Sequence, residues 1–172
     1  KGYMQEVIVD PDDYPKNTHA QRIRRLSNEE LRIFKAYIDT LQPNARAAFY
    51  AMLGTGCRVA EAANLKIDDV ALRGKAVYIN IRNAKWHSDR CIPVDTRPLF
   101  RLSKRTLQGY ATEFAKQTGI NFHCHLLRHT FAALLTEQGV PLTTVQFLLG
   151  HKSLGMTAHY AQSALVDVSD IT

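Results

Sequence analysis

Glycine and proline divide the last third of the chain in a way that leaves few choices of fold. Gly139 and Pro141 separate an apolar-rich stretch over residues 125–138 from a second one that ends at Leu149. Glycine just past a helix end takes the left-handed conformation at low cost, and proline fits the first turn of a helix. The pattern therefore predicts two helices joined by a tight turn.

Most of the earlier apolar positions also recur with helical spacing. Ser27 and Glu30 fit a capping box, in which the serine accepts a backbone N–H and the glutamate reaches back. The apolar stripe that follows consists of Leu31, Phe34, Ile38 and Leu41. Pro43 is expected to close this helix, and further helices are predicted at about residues 45–53, 58–65 and 107–119.

One segment has the period of a β-strand. Val77, Ile79 and Ile81 alternate with more polar residues, and residues 90–94 can pair back on them across a loop. The predicted fold class is therefore mainly α with one small antiparallel β-sheet (α+β). We expect a linker over residues 1–26, one domain over 27–160 and a C-terminal tail over 161–172.

Composition adds limits on the environment and the partner. The 172 residues suffice for one domain with a core, and the net charge of +6 favours a polyanionic partner. The cysteines, which are Cys57, Cys91 and Cys124, are odd in number and lack a disulfide-framework spacing, so reduced thiols are expected. The sequence has no apolar run near 18 residues and no signal-peptide pattern, which favours a cytoplasmic protein without a membrane partner.

Chemistry-bearing residues follow one another in a distinctive order along the chain. An arginine lies in GTGCRVAEAANL, a lysine on the predicted hairpin, and the segment HLLRHTFA precedes LGH and a tyrosine. The six positions are Arg58, Lys85, His125, Arg128, His151 and Tyr160. In this order, and with these local frames, the chain from about Arg25 to Tyr160 resembles the tyrosine recombinases, also called phage-type integrases.

The resemblance implies the catalytic-domain fold of that family and a DNA strand-exchange activity. Such enzymes cut and rejoin DNA through a 3'-phosphotyrosyl intermediate with neither metal nor other cofactor, in integration, excision, resolution or the movement of mobile elements. Double-stranded DNA is then the partner, with four identical protomers assembled on two DNA sites; a monomer without DNA stays an alternative. The 161–172 tail would dock on a neighbouring protomer or fold back on its own domain.

Arg58 and Arg128 are expected to clamp the non-bridging phosphate oxygens. A phosphoryl transition state gains negative charge, and guanidinium groups donate in a planar fork while staying charged. The simpler alternative is that either arginine only pairs with a carboxylate such as Glu61.

The other four residues receive roles from the same resemblance. Tyr160 would attack phosphorus, and His125 would take its proton, because imidazole titrates near neutrality. Lys85 would give a proton to the departing 5'-oxygen. His151 would bind the phosphate or hold Tyr160 in place.

Further basic residues are candidates for contacts with the DNA backbone, although each could equally be a solvated surface charge. They are Arg82, Lys104, Arg105 and Lys152. His129 and His159 adjoin motif positions and are expected to face the core or the solvent.

Other function classes stay open. The residues of a zinc-binding alternative would be His123, Cys124, His125, His129 and His151. His125 and His129 share a helical face, but Leu126 stands where a zinc hydrolase needs glutamate. A non-catalytic DNA-binding module and a type IB topoisomerase that relaxes DNA are the remaining alternatives.

Overall fold

The computed structural model describes residues 24–82, 89–94, 102–151 and 157. In these ranges the helices are α1 (Asn28–Asp39), α2 (Pro43–Thr55), α3 (Val59–Asn64), α4 (Lys104–Thr118), α5 (Cys124–Glu137) and α6 (Leu142–Leu149). The strands are β1 (Val70–Arg73), β2 (Ala76–Ile81) and β3 (Arg90–Val94), in the sheet order β1-β2-β3. The predicted fold class, mainly α with one small antiparallel sheet, is confirmed.

The start of α1 is set by the predicted capping box. The Ser27 hydroxyl accepts the Glu30 N–H at 3.1 Å, and the Glu30 carboxylate accepts the Ser27 N–H at 2.9 Å. Two N–H groups that the helix leaves without partners are satisfied in this way. The stripe beyond the cap buries Phe34 and Ile38 completely.

Pro43 opens α2, which begins at that residue and not at 45 as predicted. Proline at the first helical position loses no intrahelical bond, so the same residue that cannot continue α1 can start the next helix. The helix ends at Gly56, and α4 and α6 end at Gly119 and Gly150, all three in the left-handed conformation.

The predicted pairing of β2 with β3 is confirmed, with Ile79 opposite Ile92 in an antiparallel register. Strand β1 pairs with the other edge of β2 and was not predicted. It has only four residues, and Leu72 is 63% exposed, so the strand shows no readable alternation of apolar and polar positions.

Aromatic rings hold the larger core together. Phe34 contacts Phe49, Phe114 and Phe122, with ring centroids 5.6, 5.1 and 4.6 Å away. A smaller cluster joins α5 to α6 and contains Phe131, Ala132, Val145 and Leu149. The two cores meet along α5, so this helix has an interior position.

Residues that precede α1 also contact the domain. Leu26, the last residue of the predicted linker, is 1% exposed, and its N–H donates to the Thr130 hydroxyl at 3.0 Å. Arg25 pairs with Glu137 at 2.8 Å. The chain is thus fixed to α5 before α1 begins.

None of the helices in the described ranges is both long and apolar enough to cross a membrane.

Candidate active site

The turn between α2 and α3 is the first part of the site, and it depends on Gly56. This residue has φ of 63°, and its N–H donates to the Met52 carbonyl at 2.9 Å. A Cβ at this position would collide with the Phe131 ring and lie 2.9 Å from the Leu149 side chain. Only glycine fits both the backbone conformation and the available space. The absence of a side chain at this turn lets the end of α2 pack closely against α5 and α6.

Arg58 follows this turn in an extended conformation, as the N-cap residue of α3. Its N–H donates to the Glu61 carboxylate at 2.8 Å, and its guanidinium donates to the same carboxylate at 2.9 Å. The predicted alternative of a pair with Glu61 is therefore present. The Arg58 side chain nevertheless stays 25% exposed, so the carboxylate fixes the guanidinium without covering it.

Arg128 is almost fully buried, with 1% of its surface exposed. It donates from α5 to the Gly56 carbonyl at 2.8 Å and to the Leu149 carbonyl at 2.6 Å. Leu149 ends α6, whose last carbonyls have no partner within the helix, and a positive charge there also complements the helix dipole. One side chain therefore joins the end of α2 to the end of α6.

His125 lies at the second position of α5, exposed to solvent on one side. Desolvation by the surrounding protein lowers the pKa of its imidazole, and the positive charges of Arg128 and Arg58 lower it further. The neutral imidazole is thus favoured at neutral pH, which is the form that can accept a proton.

His129 packs edge-on against His125, with ring centroids 4.7 Å apart. It is half-buried, and it meets His125 because residues four apart on a helix lie one above the other. Burial, followed by the nearby charge of His125, lowers the pKa of His129 to about 4. The spacing of the two histidines is the sequence signal that pointed to this contact.

His151 comes directly after the Gly150 cap of α6. Its Nδ1 lies 2.9 Å from the hydroxyl oxygen of Thr157, a buried residue three positions before Tyr160. Burial lowers the pKa of His151 to about 4, and the charge of Arg128 adds to this effect. Smaller contributions come from Arg58, Arg90 and His125, so four of the predicted residues share one electrostatic environment.

Arg90 is a further charge that acts on His151, although it was not predicted as a site residue. Its side chain is 1% exposed and pairs with Glu61 at 2.8 Å. It occupies the same face of β3 as Ile92, which is also buried. The available signal was the alternation of side chains along β3, which places Arg90 on the core-facing side of the strand. A charge on that side needs a carboxylate partner inside the protein.

Other predicted residues lie outside this group or outside the described residues. Lys85, Tyr160 and Lys152 are outside the described ranges. Arg82 pairs with Asp69 at 3.2 Å, and Lys104 and Arg105 are exposed in the first turn of α4.

The zinc-binding alternative is not favoured. Within the described part of the chain no three histidine, cysteine or carboxylate side chains are grouped closely enough to hold a metal ion. Cys124, a member of the suggested zinc set, is buried, and burial raises the pKa of its thiol to about 11. The thiolate that zinc requires is therefore disfavoured.

The chain is similar to known proteins in both sequence and fold. A model of the phage integrase family matches residues 24–101 and 95–165. A relative named tyrosine recombinase XerA, from Pyrococcus furiosus, is 29% identical over an alignment of 182 positions that covers 85% of this chain and 63% of the relative. A solved structure of XerA recombinase aligns with a TM-score of 0.70 at 25% identity and covers 90% of this chain and 65% of that one.

A third match is to XerH site-specific recombinase bound to difH substrate in a pre-cleavage complex. It has a TM-score of 0.68 at 26% identity, covering 86% of this chain and 52% of that one. The chain thus spans less than two thirds of the length of each of these proteins.

Proposed function

Because the chain belongs to the phage integrase family, as its motifs predicted, we propose that it is the catalytic domain of a site-specific DNA recombinase. The proposed reaction is metal-independent cleavage and rejoining of one DNA strand through a 3'-phosphotyrosyl intermediate. The observation that carries it is that Arg128, three positions after His125 on α5, donates to the Gly56 carbonyl two residues before Arg58 and to the Leu149 carbonyl two residues before His151, which brings these side chains to one place. Three elements distant in sequence supply these side chains: the start of α3, the first half of α5 and the end of α6.

The arginines supply the charge that phosphoryl transfer requires. Arg58 is oriented by Glu61 and partly exposed, so it can donate to a non-bridging oxygen. Arg128 contributes fixed positive potential from the interior and holds the backbone that carries Arg58 and His151. Charge held in place before the reaction stabilises the transition state without reorganisation.

Proton transfer is assigned to three residues. Tyr160 attacks phosphorus, and neutral His125 takes the phenolic proton, for which its lowered pKa is suited. Lys85 protonates the 5'-oxygen that leaves. The bonds balance, since one phosphorus–oxygen bond forms at Tyr160 while the bond to the 5'-oxygen breaks.

His151 is given the role of a hydrogen-bond donor to the phosphate. Its Nδ1 lies 2.9 Å from the hydroxyl oxygen of Thr157, which precedes Tyr160 by three positions in the sequence, and this contact orients the imidazole. Arrival of an anionic phosphodiester would raise the pKa of this imidazole and strengthen the bond.

Double-stranded DNA is the proposed partner, and the cytoplasm the proposed site of action. The net charge of +6 and the exposed Lys104 and Arg105 support backbone binding; Arg82 and Lys152 are further candidates. Four protomers on two DNA sites are proposed for strand exchange, with the 161–172 tail docking on a neighbour.

Trapping of the covalent intermediate tests this function. On a nicked duplex whose cleaved fragment diffuses away, the protein should form a denaturant-resistant adduct in the presence of excess chelator. Tyr160→Phe should abolish the adduct while DNA affinity stays within about twofold of the parent. Tyr78→Phe, at a half-buried tyrosine on β2, is the matched control and should leave the adduct intact. An adduct that persists in Tyr160→Phe, or cleavage that needs added metal, would contradict the proposal.

A further inference from the structure

Arg90 is a buried cation that the proposed chemistry does not use. Its guanidinium contacts two different helices, α3 and α6. It donates to Glu61 of α3 at 2.8 and 3.4 Å, and its Nε donates to the Leu148 carbonyl of α6 at 2.6 Å. One planar group thus connects Glu61, three residues after Arg58, with Leu148, three residues before His151.

This arrangement needs the geometry of arginine. The fork places two N–H groups on the carboxylate, while Nε points to a carbonyl in a different direction. Lysine carries the same charge as a single point and cannot hold both elements with the same spacing. Burial of an unpaired charge at this place would be costly, so the contacts to Glu61 and Leu148 are needed to keep Arg90 in the interior.

Glu61 is shared between Arg90 and Arg58. One carboxylate oxygen accepts Arg58 at 2.9 Å, and the other accepts Arg90 at 2.8 Å. The three groups together carry a net charge of +1, whereas Arg58 and Glu61 alone would be neutral. Arg90 therefore preserves positive charge at Arg58 and limits how far the carboxylate can move.

We propose that Arg90 is a positioning residue for DNA cleavage, which fixes Arg58 through Glu61 and fixes the end of α6, just before His151, through the Leu148 carbonyl. This inference rests on the proposed function. Arg90 lies within the fold and acts on the phosphate only through the residues it orients.

The first test needs no activity. Arg90→Lys keeps the charge. Arg25→Lys is the control, since Arg25 also pairs with a carboxylate, but that carboxylate is Glu137 at the C-terminal end of α5, away from His125 and Arg128. Nitrogen-15 relaxation of the Arg58 Nε–H group is measured in the free protein. We expect greater motion of this Nε–H group in Arg90→Lys than in the parent or the control. Melting temperatures are recorded first, so that the measurement is made at a temperature at which all three proteins are folded.

The second test uses single-turnover cleavage at saturating DNA. Arg90→Lys should cleave about 10- to 100-fold more slowly than the parent at unchanged DNA affinity, since small displacements of aligned groups cost this much. Because Arg90 acts partly through Glu61, combining Arg90→Lys with Glu61→Gln should slow cleavage by less than the product of the separate effects.

The outcomes separate the inference from the function on which it rests. A parental cleavage rate in Arg90→Lys, or unchanged motion of Arg58, would overturn the positioning role. A fall in cleavage that matches only the unfolded fraction would also overturn it. If the parent itself forms no adduct, the proposed function fails, while the relaxation measurement still decides whether Arg90 fixes Arg58.

Discussion

The guanidinium of Arg128 donates to the carbonyl oxygen of Gly56 at 2.8 Å, across a separation of 72 residues. The glycine is needed for its backbone conformation, and the arginine for its charge. Their bond makes the position of Arg58, two residues further on, depend on α5.

Gly56→Ala should destabilise the fold and disturb the site together. The positive φ and the contact of a new Cβ with Phe131 should cost about 2–4 kcal/mol of unfolding free energy. Gly54→Ala is the matched control, because Gly54 lies within α2 with no atom near its Cβ position. That change should stabilise by about 0.5–1 kcal/mol. Urea unfolding of both variants measures these changes in the free energy of unfolding. An equal change in the two variants would refute the role of Gly56.

Stability should fall as the pH drops from about 6.5 to about 4. Burial lowers the pKa of His129 and of His151 to about 4 from the ordinary 6.5. Above pH 6.5 the folded and unfolded states are both neutral at these residues. Below it the unfolded chain binds protons that the folded protein resists, which costs on the order of 1–2 kcal/mol per imidazole after solvent screening.

Urea unfolding at pH 7.5 and pH 5 measures this loss. His129→Phe should reduce the pH dependence, because it removes one of the two half-buried imidazoles whose pKa is lowered. His123→Asn, at the exposed N-cap of α5, is the control. A pH dependence unchanged by His129→Phe would show that this imidazole titrates alike in both states.

Lys85→Ala tests the assignment of the proton donor, which lies outside the described residues. Cleavage of ordinary DNA should slow strongly, whereas a substrate with sulfur in place of the bridging 5'-oxygen should be cut at nearly the parental rate, since that leaving group needs no proton. Lys104→Ala should affect both substrates equally, through DNA binding alone. Equal impairment of Lys85→Ala on both substrates would remove the acid role.

The local signals in the sequence predicted local structure well. The Ser27 capping box and the Gly119 stop depend on residues within one turn, and both are confirmed. Strand β1 was missed because its only support is pairing with β2. Arg90 was missed for a similar reason, since its carboxylate partner is 29 residues away and only its position in the alternation of β3 indicated that it is buried. The motif's assignment of residues to the site stays a prediction, and the motif did not indicate that Arg128 is interior.

Deletion of residues 164–172 tests the proposed docking of the tail on a neighbour. The apolar side chains removed are Leu165, Val166, Val168 and Ile171, whose burial is worth about 1.5–3 kcal/mol each at most. Binding to a single DNA site should persist while assembly of protomers on two sites weakens, as seen by gel shift and sedimentation.

Asp167→Asn with Asp170→Asn changes the same segment without removing apolar surface and should leave assembly intact. A much lower melting temperature of the truncated monomer would instead place the tail on its own domain.

The bonds that Arg90 and Arg128 make around the candidate active site join distant parts of the chain, over 58 residues from Arg90 to Leu148 and 72 from Arg128 to Gly56. Contacts of this kind form late in folding, because closing long loops is entropically costly. A nascent or partly unfolded chain can therefore carry intact helices and a complete set of basic side chains without the arrangement that these bonds create. Under the proposed function, the ability to cleave DNA would then appear only with the finished tertiary structure.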